Sequence, residues 1–288
     1  MTTLVLDHAL SYQQRIDALR ASKLAQTREK REVIGSMNFD DWAVVLPPKE
    51  RRRIIEATSA SGVVTRDALL ADVQIKSNHP SGGFFGARLV GENFREILTK
   101  HPVYIDPMSS LAGAYMVNFS SYINPRWNPD FDYSHLCAEQ EKYSLMPGIG
   151  GMQHFAQDLK IGLGLGWGGL LAKIQHYREV NAPNGADFYY GLEQIILGVQ
   201  DWIGRHAEAA YERAAVETNP ELRHNFEEMV AINQYLIDDP PRTFREACQW
   251  ILWYQIVARM FNGSGSLGRL DAVLALLSAG YGARHSGR

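Results

Sequence analysis

The sequence predicts a predominantly helical fold, and three observations support that prediction. Apolar residues recur at helical spacing through most of the second half of the chain. A complete helix-start signal stands at Thr243, directly after two prolines. By contrast, residues 103–129 are rich in Tyr, Ser, Asn and Pro, which favours extended pieces and turns. With 288 residues, the chain is long enough to bury a sizeable core.

Each predicted helix follows from its local pattern. Residues 8–33 carry apolar side chains among many Gln, Arg, Lys and Ala, and Pro47-Pro48 opens a second helix over residues 49–57. Residues 77–86 have the composition of a loop, and a short helix is predicted over residues 93–99. In the second half, the predicted helices cover residues 133–142, 152–177, 188–218, 220–236 and 243–261.

The last of these helices has the clearest boundaries. Pro240-Pro241 ends the preceding helix, and Thr243 and Glu246 have the spacing of a capping box. In that motif the threonine hydroxyl accepts a free backbone N–H of the first turn, and the glutamate reaches back to the N–H of the cap residue. The residues that follow are apolar on nearly all sides, which is typical of a helix buried inside a larger assembly.

Composition excludes several classes of function. The net charge of -3 gives no basic excess that would attract nucleic acid or an anionic membrane, and the run Lys49 to Arg53 is typical of a solvated helix face. The two cysteines, Cys137 and Cys248, form no disulfide framework, which favours reduced thiols. Residues 1–10 do not have the pattern of a secretory signal. The sequence therefore predicts a cytoplasmic protein.

Two local patterns resemble binding motifs but favour simpler interpretations. Gly164 to Gly169 has the spacing of a dinucleotide-binding loop, yet the residues before it predict a helix, so close packing of a glycine-rich helix is favoured. His135, Cys137, Glu139 and Glu141 alternate as metal ligands on a strand would, but on the predicted helix they point in different directions. We therefore predict no metal site.

The segment that ends at Asp271 carries the most specific signal. It begins with Thr-Phe-Arg-Glu-Ala-Cys-Gln over residues 243–249, continues as the apolar helix, and ends with Gly-Arg-Leu-Asp over residues 268–271. This arrangement resembles a signature of glycyl radical enzymes of the pyruvate formate-lyase type, in which a Gln follows the Asp; here Ala272 takes its place. A second resemblance covers residues 154–178, with Leu-Lys-Ile-Gly-Leu at 159–163.

The resemblance implies an α/β fold that is predominantly helical. Residues 1–288 would form the N-terminal portion of a ten-stranded α/β barrel of the pyruvate formate-lyase-like domain, with no separate second domain. In the family a cysteine within a Cys-x-Glu motif becomes a thiyl radical, and a glycine near the C-terminus stores the radical. An activating enzyme with an iron–sulfur cluster and S-adenosylmethionine installs it. The implied reaction is that of a lyase or dehydratase, which abstracts hydrogen from a small polar organic substrate in anaerobic metabolism.

Both radical loops follow the Gly-Arg-x-Asp motif in the family, whereas this chain ends 17 residues after Asp271. Its last residues contain no Arg-Val-x-Gly-aromatic sequence, and Cys137-Ala138-Glu139 lies before the motif rather than after it. We therefore expect a truncated chain with no catalytic residue and no bound cofactor, which does not turn over alone. A frameshift, an early stop or a split gene would each produce such an end.

The resemblance also implies a set of substrate-binding residues. By position these are Asn262, Ser264 and Ser266 in the loop before the Gly-Arg-x-Asp motif, together with His154. Turn chemistry after a long helix explains the loop residues equally well. Arg269 and Asp271 are expected to form a structural ion pair that orients the loop.

Three functional alternatives follow from the sequence. The chain is part of a glycyl radical enzyme with a small-molecule substrate, an activating enzyme as partner, a possible separate C-terminal half and a homo-oligomeric assembly. Alternatively, it is a non-catalytic pseudoenzyme or subunit. In the third alternative it is an unrelated helical binding protein. A partial barrel would also expose apolar faces, above all on helix 243–261, which predicts poor solubility or self-association.

Overall fold

A computed structural model of the chain describes residues 11–18, 20–21, 24, 73–80, 83–101, 103, 105, 109–113, 135, 137–144, 157–261 and 269–275. Six helices are defined in full: α1 (Ala87–Lys100), α2 (Cys137–Lys142), α3 (Leu159–Val180), α4 (Ala186–Val216), α5 (Pro220–Leu236) and α6 (Phe244–Phe261). Residues 12–18 and 270–275 are also helical. Among the helices that the structure describes, none combines the length and hydropathy that a bilayer span requires.

The 31-residue helix α4 is the centre of the described fold. It packs against α1, α3 and α5, and α6 contacts α3 and α5. The core lies between these helices and is dominated by large side chains with almost no exposed surface, including Trp202, Trp250, Trp253, Phe226 and Phe94. Burial of this much apolar surface is the main favourable contribution to the fold.

The helix α1 approaches α4 so closely that only glycine fits at the crossing. A Cβ atom added to Gly91 would lie 2.3 Å from the carbonyl oxygen of Gly191. A Cβ atom added to Gly191 would lie 2.2 Å from the carbonyl oxygen of Ala87. Since real Cβ atoms do not approach backbone this closely, both glycines are required for the two helix backbones to touch.

The helices predicted in the second half are largely confirmed. The predicted helices 188–218, 220–236 and 243–261 correspond to α4, α5 and α6 with boundary differences of at most two residues. Residues 137–142 of the predicted helix 133–142 form α2, and the predicted helix 152–177 corresponds to α3, with residues 152–156 outside the described part. The prediction of helix 93–99 was wrong in its start, because α1 begins at Ala87.

Other predictions for the first half are tested only in part. Helix 49–57 and most of segment 8–33 lie outside the described residues. Where residues 77–86 are described, they form bends and turns with a single bridge residue, Phe84, as the loop composition predicts. Phe84 is the sole β-type residue among the described residues. Their regular secondary structure is otherwise helical, and they include no strand of the expected barrel.

Candidate functional site

The signature helix α6 begins with the capping box that the sequence predicts. The Glu246 backbone N–H donates to Thr243 Oγ1 at 3.2 Å, and the Thr243 backbone N–H donates to Glu246 Oε2 at 3.1 Å. Arg242 adds a backbone N–H at 2.6 Å and a guanidinium contact at 2.7 Å to the same carboxylate. Burial alone would raise the pKa of Glu246, but the hydrogen bonds from Arg242 and Thr243 outweigh it and hold that pKa below its ordinary value.

Two polar residues of the signature, Arg245 and Gln249, hold a distant part of the chain. Gln249 Oε1 accepts the backbone N–H of Ala112 at 2.7 Å, and Gln249 Nε2 donates to the Ala112 carbonyl at 2.9 Å. Arg245 donates to the Ser110 carbonyl from Nε at 3.0 Å and from Nη2 at 2.7 Å. These side chains fasten residues 109–113 along the first half of α6.

The middle of α6 is anchored by a buried polar and aromatic cluster. Trp253 Nε1 donates to Asn233 Oδ1 at 2.8 Å, which satisfies an indole N–H with no exposed surface. The Trp253 ring lies 5.2 Å from that of Trp202 and 4.6 Å from that of His206. Since Asn233 belongs to α5 and the other two belong to α4, this cluster ties α6 to both neighbouring helices.

The glycine-rich segment of α3 packs closely against its neighbours in the fold. Gly166 has a φ of 66° and kinks the helix, and a Cβ atom there would lie 2.5 Å from the Asp238 carbonyl oxygen. The Gly168 backbone N–H donates to the same carbonyl at 2.8 Å. A Cβ atom on Gly162 would lie 1.9 Å from Trp250 Cη2. The turn between α5 and α6, and the first half of α6, therefore rest directly on α3, which agrees with the close-packing interpretation.

The Gly-Arg-Leu-Asp motif ends in an exposed ion pair. Arg269 donates to both carboxylate oxygens of Asp271, from Nε at 2.8 Å and from Nη2 at 2.5 Å. The hydrogen bond from Arg269 lowers the pKa of Asp271 to about 2. Leu270, Val273 and Leu274 pack against the core, so this short helix lies against the rest of the fold and presents the ion pair to solvent.

The four predicted substrate-binding residues, His154, Asn262, Ser264 and Ser266, lie outside the described residues. Their roles stay predictions, as does the loop-orienting role of Arg269 and Asp271. Within the described ranges no three His, Cys, Asp or Glu side chains are grouped as metal ligands. The alternating set around Cys137 lies partly on the short exposed helix α2.

Sequence reasoning missed the structural roles of Arg245 and Gln249, although both lie in the quoted motif. One signal was present: Gln249 is an amide next to the apolar run that begins at Trp250, and a buried amide needs hydrogen-bond partners. That signal predicts that a partner exists but does not identify it.

Comparisons with known proteins agree with this geometry. A family model described as "Pyruvate formate lyase-like" matches residues 121–277. The 4-hydroxyphenylacetate decarboxylase glycyl radical subunit of Clostridioides difficile (strain 630) is 28% identical over 166 residues, which are 51% of this chain and 18% of that protein. Isethionate sulfite-lyase of Nitratidesulfovibrio vulgaris is 37% identical over 86 residues, which are 28% of this chain and 10% of that protein.

A solved structure shows the same fold. The crystal structure of a glycyl radical enzyme from Archaeoglobus fulgidus superposes with a TM-score of 0.57 at 17% sequence identity, and covers 78% of this chain and 36% of that chain. The chain thus spans less than a fifth of the length of the two curated relatives and about a third of the solved structure. Because the family match extends over more than half of the 288 residues, this chain belongs to the pyruvate formate lyase-like family.

Proposed function

We propose that this chain forms the N-terminal portion of a glycyl radical lyase or dehydratase that acts on a small polar organic substrate. The observation that carries the proposal is the family match over residues 121–277, which includes the whole signature helix. The polar residues of that signature are all hydrogen-bonded. Thr243 and Glu246 cap the helix, and Arg245 and Gln249 bind the backbone of residues 110 and 112. Because the family match covers more than half of the chain, it argues against the alternative of an unrelated helical binding protein.

The contribution of these residues is structural support for a shielded site. Radical chemistry on carbon requires exclusion of solvent and of stray hydrogen donors. The described helices form a closely packed layer in which Trp202, Trp250 and Trp253 are almost completely buried. In the complete family fold, the glycine would store the radical and the cysteine thiyl would abstract hydrogen from the substrate.

The proposal extends to the polypeptide of 288 residues in isolation, for which we expect no turnover. The substrate would be held by the loop residues Asn262, Ser264 and Ser266, together with His154. A cytoplasmic, anaerobic setting and a homo-oligomeric assembly belong to the same proposal. The substrates of the two curated relatives, 4-hydroxyphenylacetate and isethionate, serve as first probes.

One anaerobic experiment tests this proposal. The purified chain is incubated with an S-adenosylmethionine-dependent activating enzyme, either alone or with a second polypeptide that carries the Cys-x-Glu and glycine motifs. We expect no organic radical signal in electron paramagnetic resonance from the chain alone. With the second polypeptide, we expect copurification, a radical on that polypeptide and consumption of a probe substrate.

Two outcomes contradict parts of the proposal. A radical signal or substrate consumption by the 288-residue chain alone would show that its expected inactivity is wrong. Copurification without any radical would instead favour the non-catalytic alternative, a pseudoenzyme or regulatory subunit. That alternative has one supporting observation: a curated relative is itself named as a subunit.

A further inference from the structure

Hydrogen bonds to the backbone of residues 109–113 hold this segment on the helices α5 and α6. The side-chain amide of Gln249 is 1% exposed and pairs with both the N–H and the C=O of Ala112. A neighbouring β-strand would offer a peptide group the same donor and acceptor. Gln249 therefore offers the Ala112 peptide the donor and the acceptor that a strand partner would offer.

Two further side chains complete this attachment. Asn225 of α5 donates from Nδ2 to the Ser109 carbonyl at 2.8 Å. Its Oδ1 accepts from Arg245 Nη2 at 3.0 Å, and Arg245 also forms an ion pair with Glu228. Arg245 is thereby fixed between two partners on α5 while it donates to the Ser110 carbonyl. Helix side chains thus bind the carbonyl groups of three of the four residues from 109 to 112.

The segment has a direction along α6. Ser110 contacts Arg245, and Ala112 contacts Gln249 one turn later. Gly113, at φ +89°, lies against Trp253 and Ile256, where an added Cβ would approach Trp253 Cζ3 to 2.7 Å. Positions 245, 249, 253 and 256 form one stripe of a helix. The chain therefore runs parallel to α6, from its first turn toward its C-terminal end.

We propose that Gln249 and Arg245 are positioning residues, which direct the chain that follows Ser109 toward the C-terminal end of α6. That end precedes the loop with the predicted substrate residues, so the functional consequence rests on the proposed function. The positioning itself does not, because it depends only on hydrogen bonds between described residues. Since both partners of Gln249 are backbone atoms of Ala112, these hydrogen bonds specify where the backbone of the segment lies.

Hydrogen exchange of the Ala112 amide tests this proposal in the full chain, without activating enzyme or substrate. Gln249→Met keeps the length of the side chain and removes both hydrogen bonds. We expect exchange of the Ala112 amide to become about tenfold faster or more, while the amides in the middle of α4 and α5 keep their protection. Gln175→Met, at an exposed glutamine on α3, is the matched control and should leave Ala112 unchanged.

The conservative variant Gln249→Glu provides a rescue. A protonated glutamate can accept from the Ala112 N–H and donate to the Ala112 carbonyl, as glutamine does, whereas an ionised one cannot donate. We expect the Ala112 protection factor of this variant, and its urea midpoint, to approach the wild-type values as the pH falls. Burial raises the pKa of a carboxyl group, so the approach should begin above the ordinary range for glutamate.

Two results would overturn the proposal. One is wild-type exchange at Ala112 in Gln249→Met, or an equal loss of protection throughout α4, α5 and α6, which would indicate a general core role. The other is a gap between Gln249→Glu and wild type that stays constant with pH. The pH dependence of Gln249→Glu tests the proposal even where Gln249→Met fails to fold. Neither depends on radical formation, so failure here is distinguishable from failure of the proposed function.

Discussion

At the scale of single residues, the most unusual titratable group is His206. Its side chain has no exposed surface, and its Nδ1 lies 2.8 Å from the Trp202 carbonyl oxygen. Burial is the main cause that lowers its pKa to about 3, and the nearby charges of Arg205 and His101 lower it further. The Trp202 carbonyl opposes this shift but does not compensate for it. His206 is therefore expected to stay neutral in the folded chain near neutral pH.

This burial predicts a loss of stability in mild acid. In the unfolded chain, residue 206 binds a proton below a pH of about 6.5. In the folded chain, it binds that proton only when the pH falls to about 3. The free energy of unfolding should therefore fall over this range, by about 2 kcal/mol from this group at pH 5. His206→Gln removes the titration, so its urea midpoint should depend less on pH between 7 and 5 than that of the wild type.

The control for this prediction is His176→Gln, which replaces an exposed histidine on α3. This variant should follow the wild-type pH dependence. Packing changes in His206→Gln shift its stability at every pH and do not affect the comparison of slopes. An unchanged slope in His206→Gln would mean that the buried imidazole is not the group responsible.

At the scale of helices, the contact between α3 and α6 depends on the absence of a side chain at Gly162. Gly162→Ala would place a methyl group 1.9 Å from the Trp250 ring, which itself stacks on Trp167 at 5.0 Å. Neither ring has room to move without a wider rearrangement, so we expect a loss of about 1–3 kcal/mol in the free energy of unfolding. The near-ultraviolet circular dichroism of the stacked rings should change as well.

Gly164 offers a matched control two residues away in the same helix. An added Cβ at Gly164 meets no atom within 4 Å. Gly164→Ala should therefore raise the free energy of unfolding by about 0.5–1 kcal/mol, because alanine loses less backbone entropy in a helix. Denaturant titrations of both variants measure the two effects. Shifts of the same sign would contradict the assignment of Gly162 to the helix contact.

The helices also show which features a sequence can predict. The start of α6 was predicted correctly because Thr243 and Glu246 cap it through contacts within four residues. The kink at Gly166 was not predictable, because it is explained by the close approach of Asp238, a residue far along the chain. The start of α1 was missed because Gly91 weakens the local helical pattern and is explained only by Gly191.

The same difference between local and long-range contacts decides which features of the candidate site could be predicted. The signature residues were found from the sequence, since their types and spacing are local. The task of Gln249 was not, because its partner Ala112 lies 137 residues earlier. The predicted substrate residues around Ser264 rest on the family resemblance, and they stay predictions because they lie outside the described residues.

At the scale of the whole molecule, α6 is buried inside this chain. The sequence led to the expectation that helix 243–261 would lack partners. Instead Ala247, Trp250, Ile251, Trp253 and Ile256 are each at most 5% exposed, and they pack among the other helices. The apolar character of these positions is thus explained by contacts within this chain, with α3, α4, α5 and residues 112–113. Self-association of the isolated chain stays a prediction.

This arrangement predicts that the described helices unfold as one unit. The tryptophans of α3, α4 and α6 report on the core, whereas far-ultraviolet circular dichroism reports on all helices. Trp42→Phe with Trp127→Phe leaves emission only from Trp167, Trp202, Trp250 and Trp253, since the sequence has six tryptophans. In this double variant, we expect the fluorescence and circular dichroism transitions in urea to coincide.

The physical reason is that α6 cannot leave without exposing the rest of the core. Trp253 shares the polar and aromatic cluster with α4 and α5, and Trp250 covers the glycine face of α3. Separation of α6 would leave Asn233 without its indole partner and expose apolar surface on three helices. A fluorescence transition at clearly lower urea than the circular dichroism transition would show that α6 is a separate, weaker unit. In that case its stability would have to come from contacts outside the described helices, as the barrel expectation first suggested.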